Sequence, residues 1–326
     1  MLKQPSTPPE IDVDPLAKRL GKDLLTKRRH LQAQHNEGFL GQCRGIWKIE
    51  NYIDTNRWIE RAFKISGLYS RGRRNFLDIQ IVENQVSLPH LPAAFEGFRI
   101  LHMADLHSDL DPDFPDIVID KLRTIDYDIC VNTGDFRNKT RHCFHRSMSA
   151  TRRIAHSIQR PHFGVLGNHD YIEKVADLEA MGIQMLLNES SAIEKNGYLL
   201  WICGVDDPVF YQTHDLHKAR QKTGRDDISI LLAHAPDVYR EAAEHNYDFM
   251  LSGHTHGGQV CLPGGIPVFT HCTCPRSMAA GAWQYKQLKG YTSRGTGAGS
   301  TAVRFNCPPE LTVHTLTRGS FDRPPN

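Results

Sequence analysis

Five short apolar runs in this chain each end on side chains able to bind a metal ion or move a proton. Residues 98–104 lead into Asp105-Leu106-His107, 127–133 into Gly134-Asp135, and 162–166 into Gly167-Asn168-His169-Asp170. Residues 228–233 deliver His234, and 249–252 deliver Gly253-His254-Thr255-His256. A sixth run, 199–205, ends on Asp206-Asp207. Apolar runs this short read as buried strands. Helical stretches at 115–124, 141–160, 173–181 and 237–245 fall between several of them, and that alternation predicts an α/β layered fold. Asn196-Gly197, with apolar flanks, predicts a hairpin, so part of the sheet is antiparallel.

In open α/β sheets the ligand site lies beyond the carboxyl ends of the strands, so the five loops are expected to converge. A lone Asp-x-His is common by chance; five fragments in order, each closing a strand, are not. Together they supply two Asp, one Asn and four His, an N/O donor set suited to Mn, Fe or Zn rather than to Mg or Ca alone. Seven donors exceed one ion's needs but suit two ions sharing a bridging carboxylate. Two ions about 3.5–4 Å apart clamp the attacking and leaving oxygens of a phosphoryl displacement.

The ordered set DxH, GD, GNHD, H and GHTH resembles the calcineurin-like metallophosphoesterase superfamily. Gly253 to Gln259 (GHTHGGQ), Tyr291 to Gly295 and Arg304 to Glu310 resemble one bacterial branch of small phosphodiesterases and UDP-2,3-diacylglucosamine pyrophosphatases. The resemblance covers roughly residues 77–317 and implies a four-layer α/β/β/α sandwich with a helical N-terminal appendage. Carried over position by position, it implies that Asp105, His107 and His256 hold one ion, that Asn168, His234 and His254 hold a second, and that Asp135 bridges both. Mn is the expected metal, with Fe, Zn or Mg as alternatives, and the implied reaction is attack on phosphorus by metal-activated hydroxide. His169 is then expected to serve the leaving oxygen as proton donor or to stabilise the transition state, with Asp170 accepting from its other ring nitrogen. Arg137 and Arg294 are candidate phosphoryl-binding side chains. Asp206 and Asp207 are either supporting carboxylates or a turn before Pro208. The glycine-rich stretch 295–300 lacks the Lys-Ser/Thr of a nucleotide-binding loop and reads as a turn.

At 326 residues, 40% hydrophobic and 23% charged, the composition is that of a globular chain of about two domains. The expected division is a basic segment over residues 1–75 and a catalytic domain over 76–326. No apolar run approaches a membrane span, and residues 1–14 lack the pattern of a secretory signal, so a cytoplasmic location is expected. Residues 1–75 carry a local charge of +7 and the remainder −5, which argues against a nucleic-acid-coating protein. Pro5 to Pro15 reads as a disordered lead-in. Beyond it, Leu16, Leu20, Leu24 and Leu31, interleaved with Lys18, Arg19, Lys22, Lys27, Arg28 and Arg29, form an amphipathic stripe. A second stripe runs through Ile46, Ile49, Ile53, Trp58, Ala62 and Ile65, with Trp47 and Phe63 beside it. Such stripes either pack on the catalytic body or lie peripherally on an anionic membrane face; packing is the commoner use of an amphipathic helix.

Eight cysteines are too sparse for a disulfide framework. Cys130 and Cys203 read as buried thiols, and Cys272 and Cys274 as incidental rather than zinc-binding, since no second CxxC pair exists. The substrate is expected to be a phosphorylated small molecule or a lipid-linked pyrophosphate, with UDP-2,3-diacylglucosamine of lipid A synthesis as the leading candidate. The alternatives are a phosphodiesterase acting on nucleotides or generic diesters, and a non-catalytic metal-binding scaffold. The filled donor set and the presence of His169 argue against the last.

Overall fold

The computed structural model describes residues 14–36, 55–138, 144–224 and 226–319, with the side chains of residues 35, 36 and 55–59 excepted. The described strands are β1 (Gln80–Leu88), β2 (Arg99–Met103), β3 (Ile129–Asn132), β4 (His162–Gly164), β5 (Ile183–Met185), β6 (Glu189–Lys195) and β7 (Tyr198–Gly204). They continue with β8 (Ile228–Leu232), β9 (Phe249–Ser252), β10 (Cys261–Leu262), β11 (Ile266–Pro267), β12 (Gly281–Tyr285), β13 (Leu288–Thr292) and β14 (Glu310–Arg318). The helices are α1 (Pro15–Leu20), α2 (Lys22–Asn36), α3 (Thr55–Ile65), α4 (Tyr69–Leu77), α5 (Phe114–Leu122), α6 (His145–His156), α7 (Val175–Glu179), α8 (Leu216–Arg220) and α9 (Tyr239–Glu244).

Two six-stranded sheets form, in the orders β1-β14-β2-β3-β4-β5 and β12-β13-β9-β8-β7-β6, beside a small β10–β11 pair. Alternation along the strands decides the layers. Ile100, Ile129 and Val131 point from the first sheet toward the second, where Leu200, Ile202, Ile230, Leu232 and Leu251 meet them in one dry cluster. Their neighbours Leu101, Met103 and Cys130 point the other way, onto Phe114, Val118, Ile154 and Leu178 of α5, α6 and α7. On the far face of the second sheet, Leu231 and Met250 meet Leu216 and Ala219 of α8 and Ala242 and Ala243 of α9. Burial of each large aliphatic side chain contributes about 1.5–3 kcal/mol. The result is the four-layer α/β/β/α sandwich expected from the sequence.

The Asn196-Gly197 turn joins β6 to β7 in antiparallel register, Lys195 opposite Tyr198. Both turn residues take left-handed backbone, at φ 54° and 79°, which the twist of a tight hairpin requires. The sequence reading did not include β1 and β14, which pair in parallel from Gln80–Glu310 to Leu88–Arg318.

At the N-terminus, Asp14 accepts the Leu16 amide at 2.9 Å and Pro15 opens α1. Leu20 and Leu25 are buried in the cluster that α5–α7 form on the first sheet, with Leu16 and Leu24 partly buried beside them. Arg19 pairs with Glu179 at 2.8 Å and Glu189 at 2.7 Å. The first leucine stripe therefore packs on the body. In the second stripe, Ile46, Trp47, Ile49 and Ile53 lie outside the described residues. Among the described residues, no helix is long and apolar enough to cross a membrane.

Candidate metal centre

Strands β2, β3 and β4 of one sheet and β8 and β9 of the other end at a common edge, and their loops are laced together. The Asp105 amide donates to the Gly134 carbonyl at 3.0 Å, the His107 amide to Asp135 at 3.0 Å and the Gly253 amide to His234 at 2.8 Å. Across the sheets, the His254 amide donates to both Asp105 carboxylate oxygens, at 3.0 and 2.9 Å. Gly167 is obligatory, since an added Cβ would overlap the Asp135 carboxylate and its amide.

All seven expected donors come together. Asp105, His107 and His256 offer ligand atoms lying within 4.8 Å of one another, as do Asp105, Asp135 and His234, and also His107, Asp135 and His169. Five of the seven, namely Asp105, His107, Asp135, His254 and His256, have φ between 39° and 70°. Non-glycine residues pay about 1–3 kcal/mol for such backbone, and strain of this kind gathers at functional sites.

Backbone carbonyls set the imidazole tautomers. His107 Nδ1 donates to the Arg137 carbonyl and His234 Nδ1 to the Thr133 carbonyl, each at 2.8 Å, so both Nε2 atoms face the centre. His107 Nε2 lies 3.3 Å from His256 Nε2 and 3.6 Å from Asp135 Oδ2. His234 Nε2 lies 2.9 Å from Asn168 Oδ1, 3.1 Å from His254 Nδ1 and 3.4 Å from Asp135 Oδ2. His254 Nδ1 is 3.1 Å from Asn168 Oδ1.

This convergence of lone pairs calls for cations. Burial pushes Asp105 up to about 7; His234 opposes that shift and Asp135 adds to it. His234 is buried too, yet the Asp135 carboxylate raises it to about 10, so a proton sits amid the donors. Burial opposes ionisation of Asp135 as well, but His234, His169 and His107 hold it well below the usual carboxylate range. Burial also pushes His107 down to about 4 and His254 to about 3, and holds His256 well below its ordinary value. Neutral imidazole is the metal-binding form. His256 Nδ1 is buried without a hydrogen-bond partner among the described residues. The donors thus fit divalent metal ions.

The remaining candidates fall differently. His169 Nδ1 bonds the Asn138 carbonyl at 2.7 Å, and Nε2 faces Asp135 Oδ2 at 4.0 Å. The expected contact between Asp170 and the His169 ring is replaced: the Asp170 carboxylate accepts the amides of Asp135 (2.7 Å), Gly167 (2.9 Å) and Phe136 (3.0 Å). The two side chains leave the turn in different directions, one toward the centre and one into the backbone beneath it. Arg137, 4% exposed, is stacked against Phe144 and Tyr171 and donates from Nε to the His169 carbonyl at 2.8 Å. Arg294 donates from Nε to buried Glu310 at 2.5 Å. Asp207 caps a turn, accepting the Phe210 and Tyr211 amides at 2.7 Å, and Asp206 accepts the Thr213 hydroxyl at 2.6 Å. Cys272 and Cys274 lie with sulfurs 2.9 Å apart, outside the donor clusters found among the described residues.

Two supports escaped the sequence reading. Arg304, fully buried, donates to the carbonyls of Gly297, His256 and Arg294. Asn138 holds His169 with its carbonyl and the Ser300 amide with its side chain. Arg304 opens a motif that carries the family resemblance, which was the available signal for it; for Asn138 there was none.

Residues 98–258 match the family model of the calcineurin-like phosphoesterases. The chain belongs to that superfamily and is a metal-dependent hydrolase of phosphoric esters. It is similar to the uncharacterized metallophosphoesterase YkoQ of Bacillus subtilis, 28% identical over 263 residues, covering 76% of this chain and 93% of that one. It is also similar to the phosphodiesterase YaeI of Escherichia coli, 31% identical over 163 residues, covering 48% of this chain and 58% of that one. Among solved structures, the Thermus thermophilus sulfate thiohydrolase SoxB matches at TM-score 0.43 and 13% identity, over 70% of this chain and 57% of that one. The chain spans little more than half of SoxB.

Proposed function

We propose that the chain is a two-metal phosphodiesterase that prefers Mn, the observation carrying this being the convergence of seven N/O donors from two sheets onto one cluster. Asp105, His107 and His256 would hold one ion, and Asn168, His234 and His254 the other, with Asp135 shared. Ions so held would lower the pKa of bound water and polarise the phosphoryl group. His169 is the acid for the leaving oxygen: its Nδ1 is tied to the Asn138 carbonyl, so the mobile proton belongs to Nε2, on a side chain 28% exposed. Arg137 acts through the His169 carbonyl that it grips, and Arg294 remains the candidate for the phosphoryl oxygens. The likeness to a protein called a phosphodiesterase supports diester hydrolysis.

One observation favours a narrower reading, a lipid-linked pyrophosphate such as UDP-2,3-diacylglucosamine met at the inner membrane face. Leu262, Ile266, Val268 and Phe269 are exposed on the β10–β11 hairpin, and Pro267 of that hairpin packs against Gly258, two residues past His256. Mn-dependent hydrolysis of bis(p-nitrophenyl) phosphate and of UDP-2,3-diacylglucosamine tests both. Cleavage of the aryl diester alone leaves the broader reading, and cleavage of neither sinks both.

A further inference from the structure

Helix α2 lies outside the region that matches the family model, yet it reaches the loop carrying His169. Arg28 is fully buried and donates from Nη2 to the Asp170 carbonyl at 2.9 Å. Its guanidinium stacks on Tyr211, 3.4 Å from the ring centroid, and its Nε lies 3.6 Å from the equally buried Asp206 carboxylate. One turn further on, Gln32 accepts the Ile172 amide at 2.9 Å and donates to Glu173 at 2.9 Å, and Arg29 donates to Glu173 at 3.0 Å. The helix is thus bonded along residues 170–173. From the other side Arg137 grips the preceding carbonyl, that of His169. Two buried guanidinium groups, each stacked on a tyrosine, hold consecutive carbonyls of one loop.

The link continues to the centre. The carboxylate of the residue whose carbonyl Arg28 holds accepts the amide of Asp135 and that of Gly167, and the His169 amide donates to Asp135 Oδ1 at 2.9 Å. A buried ion pair is weak evidence for stability, because desolvation offsets the attraction. Arg28 keeps one strong hydrogen bond, and its Nε and Nη1 have no hydrogen-bond partner among the described residues. An apolar side chain would fill the place with less desolvation. What an apolar side chain would not supply is the donor to the Asp170 carbonyl.

We infer that Arg28 is a positioning residue for the metal centre: the N-terminal helix fixes the 167–170 loop and, through Asp170, the Asp135 carboxylate. The inference rests on the reading of Asp135 and His169 given above. It makes α2 a working part of the site rather than an appendage of it.

The test compares full-length wild type with Arg28→Met, Arg28→Lys and Leu25→Ala, the last loosening the same helix at its apolar packing face. Each is measured for melting temperature, Mn affinity by calorimetry, kcat and KM on bis(p-nitrophenyl) phosphate, and amide exchange of residues 165–173 in the metal-free protein. Arg28→Met is expected to speed exchange in that segment, weaken Mn about tenfold and lower kcat at least tenfold with KM little changed; Arg28→Lys recovers part of each. Leu25→Ala is expected to lower the melting temperature while leaving Mn affinity and kcat near wild type. If Arg28→Met merely melts earlier, with exchange, Mn affinity and kcat like those of Leu25→Ala, the inference is overturned. Should wild type itself neither bind Mn nor turn over, the functional reading fails, and exchange in the metal-free protein still decides whether Arg28 fixes the loop.

Discussion

Asp170 holds Asp135 by its backbone: one Asp170 carboxylate oxygen accepts the Asp135 amide at 2.7 Å and the Gly167 amide at 2.9 Å. The other accepts Phe136 at 3.0 Å, so a single buried carboxylate joins the loops after β3 and β4. In Asp170→Asn an amide nitrogen must face at least one of these donors. Leaving a buried donor unsatisfied costs about 1–3 kcal/mol. Urea unfolding is expected to show a loss of that size together with weakened Mn binding; an unchanged midpoint would remove Asp170 from this role.

The left-handed backbone at the donors yields a test free of chemistry. His254 has φ 70°, where any residue with a Cβ is disfavoured by about 1–2 kcal/mol and glycine is not. His254→Gly is therefore expected to be more stable than His254→Ala in the metal-free protein, by about 1 kcal/mol. That order reverses the usual ranking. Thermal melts of the two variants decide it, and a more stable alanine variant would mean the strain is not there.

These strained positions mark what the sequence could not reveal. The strands β2, β3, β4, β8 and β9 were legible because strands buried on both faces are apolar throughout and stop where the polar donors begin. β1 and β14 were not, because Gln80, Glu83, Asn84 and Gln85 of an edge strand and Thr312, His314 and Thr315 of its partner dilute the apolar signal. The convergence of the seven candidate donors was legible from their order and residue type. The partner of Asp170 was not, because whether a side chain turns to a neighbouring ring or to the backbone is decided by loop geometry. Arg28 was read as one charge of an amphipathic stripe, since its contacts at Asp170 and Tyr211 are far along the chain.

Acid should weaken the fold through histidines remote from the donors. Burial pushes His102 and His162 down to about 3 and holds His314 well below its usual value. Above pH 6.5 each is neutral folded or unfolded and adds no pH dependence. As pH falls below 6.5 the unfolded chain takes the proton first, so stability drops by up to about 1.4 kcal/mol per pH unit per group. Urea unfolding of the metal-free protein at pH 7.5 and 5.5 is expected to show this loss, and His162→Gln a smaller one. Equal pH dependence in wild type and variant would contradict the buried neutral state of His162.

Metal binding should expel protons. His234, held at about 10 by Asp135, carries a proton at pH 7.5, and Asp105, at about 7, carries one part of the time. Ions entering the donor cluster compete with both, so Mn affinity is expected to rise with pH. Calorimetric titration in two buffers of different ionisation enthalpy reads the released protons directly. Identical heats in the two buffers would rule the competition out.

The most direct test of the two-metal account is a Mn titration of the metal-free full-length protein, followed in parallel by bound metal and by hydrolysis of bis(p-nitrophenyl) phosphate. The account predicts two ions per chain, activity that rises with their binding and vanishes with chelator, and loss of both in Asp135→Ala. Binding of one ion or none at full activity, or hydrolysis that survives chelation or the loss of Asp135, would contradict it.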